Sequence, residues 1–194
     1  YRKFGFVEKE SPLTGPFGLP ICKMTLDLSS KKRGGSFHYN FPEYEQKAKK
    51  EGCPVCNDLP GPKGWTTIEL QHSWLEIHKE AQGKLFGKCH VLSKKHYEHF
   101  SDMPKDEMAD YMSDVQKVGK ILLNITCAIK INYETHCNTM PHLHTHLFPR
   151  YLDDDFASAP IDYRIVEPSP YESDDEYKWF IEQIRNQLVN KKQV

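Results

Sequence analysis

The apolar positions change period several times along the chain. Met24-Thr25-Leu26-Asp27-Leu28 alternates and predicts a strand. Trp65 to Leu70 and Trp74 to His78 are rich in β-forming residues, and Gln71-His72-Ser73 between them predicts a hairpin turn. Gly87 to Leu92 gives a third strand of this region. The spacing then lengthens: Met108, Tyr111, Met112, Val115, Val118 and Leu122 lie on one helical face, with Ser101-Asp102 as the expected cap. Ala128 to Tyr133 and Leu143 to Phe148 predict two more strands. Ser173-Asp174-Asp175-Glu176 reads as a capping box, and Tyr177, Phe180, Ile181, Ile184 and Leu188 form the stripe of the helix it opens. The expected fold is α+β: about five short strands, one long helix inserted among them and a C-terminal helix. Residues 1–45 carry scattered Gly and Pro and the basic run Lys31-Lys32-Arg33, and read as an irregular arm before a domain over 46–194.

Composition narrows the function classes. The chain has 194 residues, 38% hydrophobic and 27% charged, which is globular rather than disordered. Lys+Arg (26) balance Asp+Glu (27), against the basic excess of a dedicated nucleic-acid binder. The longest apolar run, Ile121 to Ile129, is too short for a bilayer and is broken by Asn124 and Thr126. Of six cysteines only Cys53 and Cys56 are close, as Cys-Pro-Val-Cys, which is too sparse for a disulfide scaffold. Tyr1 to Gly18 shows no signal-peptide core, so reduced thiols in the cytoplasm are expected. The Cys-x-x-Cys spacing suits either a metal site or a redox pair.

The densest chemistry is Pro141-His142-Leu143-His144-Thr145-His146-Leu147-Phe148-Pro149-Arg150. In a strand the three histidines share a face, about 6.6 Å apart, while Leu143 and Leu147 point to a core. Two chemistries fit. The histidines could hold a metal, although the nearest acids, Asp153 to Asp155, lie beyond Pro149. Alternatively one neutral imidazole could attack phosphorus, roughly three-quarters of it being unprotonated at pH 7.

At these residues the sequence resembles the histidine-triad (HIT) hydrolases, whose motif is His-x-His-x-His followed by apolar residues. Asn132-Tyr133-Glu134 and the run from Asn138 to His144 are similar to the bacterial dinucleoside-polyphosphate-hydrolase-like branch. The resemblance runs from about Cys53 to Tyr151. It implies that His144 is the nucleophile, that His146 contacts the scissile phosphate or leaving group, and that His142 orients the nucleophile or binds metal. It implies substrate contacts from Asn138 to phosphate, from Glu80 to the ribose hydroxyls, and from Arg150. It also implies a structural zinc held by Cys53, Cys56, His96 of Ser93-Lys94-Lys95-His96, and His142. Lys88 stands where the family carries a histidine and could neutralise phosphate instead, with His90 on the same strand face. Cys137 and His136 are further departures beside the phosphate loop, and His136 and His99 read as surface residues.

The activity implied is hydrolysis of a phosphoanhydride or phosphoramidate bond in a nucleotide, through a nucleotidyl-histidine, by a homodimer. Two alternatives are a weakly catalytic nucleotide-binding regulator and a metallo-hydrolase that uses the triad histidines as ligands.

Overall fold

The computed structural model describes residues 7–9, 23–25, 37–59, 65–79, 85–161 and 169–190. The chain divides into two compact units, residues 1–36 and 37–194. In the first, β1 (Val7–Lys9) pairs antiparallel with β2 (Lys23–Thr25), Glu8 opposite Met24. The strand expected at Met24 coincides in part with β2; Leu26 to Leu28 and the basic run at 31–33 lie outside the described residues.

The second unit begins with two short helices that the apolar pattern does not predict. The first, α1 (Phe41–Ala48), is capped by Asn40, whose side-chain oxygen accepts from the Glu43 N–H at 3.4 Å. A single turn, α2 (Pro54–Asn57), follows with Cys53 at its N-cap. Both are too short to show a clear period, and neither buries a residue within its span.

The rest is a five-stranded antiparallel sheet with two long helices. The strands are β3 (Trp65–Glu69), β4 (Ser73–His78), β5 (Cys89–Ser93), β6 (Lys130–Glu134) and β7 (His144–Arg150). Their order is β3-β4-β5-β7-β6, and every neighbouring pair is antiparallel. The β3–β4 turn falls at Gln71-His72 as expected. Asp114 holds it by accepting from the His72 N–H and the Ser73 hydroxyl, each at 2.8 Å. Gly87 turns the chain into β5 with φ +85°, and a Cβ there would come within 2.9 Å of Thr126.

The long helix α3 (Lys105–Thr126) starts later than Ser101-Asp102. Those two residues are used in the preceding turn, where Ser101 donates to Asp102 and Asp102 accepts from the His99 N–H, both at 3.2 Å. The helix instead begins after Pro104, with Asp106 and Glu107 in its first turn. The last helix, α4 (Asp174–Asn190), is capped as the sequence suggests: Ser173 accepts from the Glu176 N–H at 3.2 Å. The Glu176 carboxylate accepts in return from the N–H of Glu172 at 2.6 Å, one residue before the usual box position.

Strand alternation divides the sheet into two faces. Leu75, Ile77, Val91 and Leu147 project toward Tyr111, Val115, Val118 and Leu122 of α3 and Phe180 and Ile184 of α4, forming the core. The opposite face carries Glu76, His78, His90, His144 and His146. Phe148, on that same face, closes one end of it in a small cluster with Leu85 and Ile161.

Candidate active site

Two of the three triad histidines sit on the interior strand β7, whose orientation is fixed from beneath. Thr145, between the two strand histidines, points to the helix face and is buried. Its hydroxyl lies 2.8 Å from the Tyr111 hydroxyl and 2.8 Å from that of Thr135, and Tyr111 donates to the Val91 carbonyl at 2.9 Å. This buried chain ties β7, β5 and α3 together, so a polar side chain in the core is satisfied rather than stranded.

Above it, His144 and His146 project from the open face. The His144 Nδ1–H donates to the His142 carbonyl at 2.7 Å. That bond assigns the proton to Nδ1 and leaves Nε2 as a lone pair. His146 Nε2 is 3.1 Å away and donates to it, which leaves His146 Nδ1 without a proton; that atom is buried with no hydrogen-bond partner among the described residues. Burial lowers the pKa of His144 below the ordinary imidazole value, partly offset by the His142 carbonyl and the Glu76 charge. Burial, reinforced by His144 and Lys88, pushes His146 down to about 2. Both rings are therefore neutral at pH 7, the state a nitrogen nucleophile requires.

His142 departs from its expected place. The strand begins only at His144, so His142 lies on the approach and its ring turns away from the other two. It is fully buried, with Nδ1 3.3 Å from Cys53 Sγ and 3.6 Å from Cys56 Sγ. His96 Nδ1 lies 3.5 Å from Cys56 Sγ. These four side chains could hold one metal ion, their donor atoms lying within 4.8 Å of one another. A tetrahedral zinc with Zn–S of about 2.3 Å and Zn–N of about 2.0 Å would space sulfur and nitrogen about 3.5 Å apart, close to what is observed. The outer nitrogens are committed as well: Nε2 of His142 donates to the Ser93 carbonyl at 2.7 Å, and Nε2 of His96 to the Ala48 carbonyl at 2.8 Å. Both Nδ1 lone pairs thus face the sulfurs, the outer-shell arrangement of metal-binding imidazoles. Burial also pushes His142 down to about 4, keeping it in the neutral form a metal needs. The donor set fits zinc and is closed by its own residues.

Lys88 is buried against the open face, its Nζ 5.3 Å from the centre of the Phe148 ring. Burial lowers its pKa, opposed by Cys89 and Glu134. His90 lies directly opposite His146 in the β5–β7 register, their rings 4.3 Å apart. Asn138 is exposed on the loop before the triad. Cys137 beside it has φ +53°, a left-handed backbone that favours glycine, and its Sγ is 3.9 Å from His144 Nδ1.

Arg150 is placed away from the triad histidines. It forms a two-pronged pair with Asp154 at 2.7 and 2.8 Å and donates to the carbonyls of Phe156 and Ala159, so its guanidinium clasps the following loop. That loop and β6 line an open trough of about 930 Å³ that includes Glu134, His136 and Arg150. Glu80 lies outside the described residues. Among the described residues no helix is long and apolar enough to cross a membrane. Nothing in the sequence singles out Glu76 and His78. Their Glu-x-His alternation looks like an ordinary solvated strand face; only the register to His90 marks them.

Comparison with known proteins gives one consistent result. Residues 68–153 match the HIT domain family model. A HIT-like protein of Methanocaldococcus jannaschii is 32% identical over 109 residues, covering 53% of this chain and 79% of the relative. A histidine triad protein of Bradyrhizobium japonicum superposes with a TM-score of 0.56 at 20% identity, over 65% of this chain and 92% of that one. A zinc-bound histidine triad family protein of Mycobacterium smegmatis gives a TM-score of 0.53 at 16% identity, over 74% and 98%.

Proposed function

Since the chain belongs to the HIT family, we propose that it hydrolyses a nucleotide at its α-phosphorus by covalent catalysis on His144. The observation that carries this is the hydrogen bond from His144 Nδ1 to the His142 carbonyl, which presents Nε2 as a neutral lone pair on an open sheet face. In the first step Nε2 attacks phosphorus and forms an N–P bond as the bond to the leaving group breaks. His146, whose Nε2–H points at the same place, turns its donor to the leaving group or a phosphoryl oxygen. Water then attacks phosphorus, the N–P bond breaks, and a nucleoside monophosphate leaves with His144 restored. Lys88 and Asn138 neutralise and position phosphate oxygens, Glu80 takes the ribose hydroxyls, and Arg150 shapes the trough wall rather than touching the reacting atoms.

Cys53, Cys56, His96 and His142 would hold a structural zinc. Supporting this are the sulfur–nitrogen spacings and the committed outer nitrogens. Bound there, the ion would fix the start of β7. We take the working unit to be a homodimer, supported by the edge position of β6 and the exposed Ile129 and Tyr133 along it. Substrates are dinucleoside polyphosphates or nucleoside phosphoramidates.

Steady-state assays on both substrate classes, with calorimetric binding of the product nucleotide, test the reading. Wild-type protein turns over at least one class. His144→Ala loses turnover by several orders of magnitude while binding persists. Binding without turnover in the wild type would favour a regulatory protein, and an active His144→Ala protein would refute the nucleophile.

A further inference from the structure

A second cluster of metal-ligating side chains lies on the open face, apart from the cysteine site. Glu76 on β4 pairs directly with His90 on β5, so their side chains rise side by side from the same face. His78 is two residues along β4, hence on that face too and diagonal to His90. Its Nε2 lies 3.8 Å from a Glu76 carboxylate oxygen, and the His78 and His90 rings are 4.6 Å apart. One donor atom from each of the three falls within 4.8 Å of the others. The Glu76 side chain is only 6% exposed and that of His78 13%. His90 Nε2 is buried and has no hydrogen-bond partner among the described residues.

This combination is unusual for a surface that merely faces water. A buried carboxylate needs a counter-charge, and a buried imidazole lone pair needs a donor. One cation between them supplies both. From this geometry we infer that Glu76, His78 and His90 form a binding site for a first-row divalent transition metal. Two imidazoles and one carboxylate match the preferences of zinc, iron and cobalt rather than magnesium or calcium. Three protein ligands leave coordination positions open, unlike the closed set of two cysteines and two histidines. The open side is toward the triad, because His90 also stacks edge-on with His146 at 4.3 Å. The ion would therefore stand within reach of an anionic group bound over His144 and His146. The site's existence does not depend on the hydrolase reading, since binding is a property of the folded chain. The competing arrangement is a proton on His78 paired with Glu76.

The test is titration of zinc-loaded, desalted protein with Co²⁺ alone, followed by equilibrium dialysis and absorption spectroscopy. Wild-type protein takes up one further equivalent of cobalt without the intense thiolate-to-cobalt band that cobalt at Cys53 and Cys56 would produce. Glu76→Gln, which keeps the shape and removes the charge, loses at least nine-tenths of that uptake while retaining its zinc. If Glu76→Gln does not fold, His78→Gln, at the more exposed corner, serves in its place. No further equivalent in wild-type protein, uptake only with the thiolate band, or wild-type uptake in either folded variant would overturn the site.

Discussion

Lys88 concentrates the question of substrate into one side chain. Held over Phe148 and depressed in pKa by burial, it is a positive charge maintained at a cost. A compact cation there would act on phosphate oxygens by neutralisation rather than by proton transfer. Lys88→Ala is expected to lower kcat/KM for a dinucleoside polyphosphate about tenfold more than for a phosphoramidate, about the worth of one charged hydrogen bond. Lys88→His should bring the two substrates back toward each other. Equal ratios across the three proteins would show that Lys88 does not touch the substrate. Residue identity was the most legible level in the sequence. His144 and His146 share a face as the alternation requires, whereas His142 turns aside because alternation cannot say where a strand begins.

The element that would carry the proposed catalysis is β7 together with its support on α3. The two meet through Tyr111, Thr145 and the Val91 carbonyl, all below the sheet and remote from the open face. Tyr111→Phe removes the buried donor to that carbonyl and leaves the Thr145 hydroxyl with Thr135 alone, at an expected cost of about 1–3 kcal/mol. Urea unfolding should show the loss with little change in the denaturant slope, since the area exposed is unchanged. A variant as stable as wild type would mean that this buried hydroxyl chain does not help hold β7. The elements with a sustained period, α3 and α4, could be read from their stripes, and the five strands from their apolar runs. Helices α1 and α2 could not. Their residues are mostly polar or exposed, and α2 is a single turn whose purpose is to place Cys53 and Cys56 rather than to bury a face. Strand order was hidden for a different reason: β7 enters between β5 and β6 by long-range pairing that no local pattern encodes.

Across the second unit, the cysteine site and the triad share one strand approach. His142 contributes its side chain to Cys53 and Cys56 and its carbonyl to His144. The proposed metal site and the orientation of the proposed nucleophile would thereby be joined through a single residue. Purified protein should contain about one zinc per chain at this site, and a chelator should lower the melting temperature, because binding to the folded state adds to folding free energy. Cys53→Ser/Cys56→Ser protein of unchanged zinc content and melting temperature would contradict that assignment.

In the proposed reaction His144 becomes covalently nucleotidylated. Its most direct test is a single-turnover reaction with substrate labelled at the α-phosphorus, quenched in base to preserve the N–P bond, then digested and mapped by mass spectrometry. The expected result is a nucleoside monophosphoryl group on His144, rising and decaying on the time scale of turnover. A label on any other residue, or turnover with no protein-bound label at any time, would contradict it.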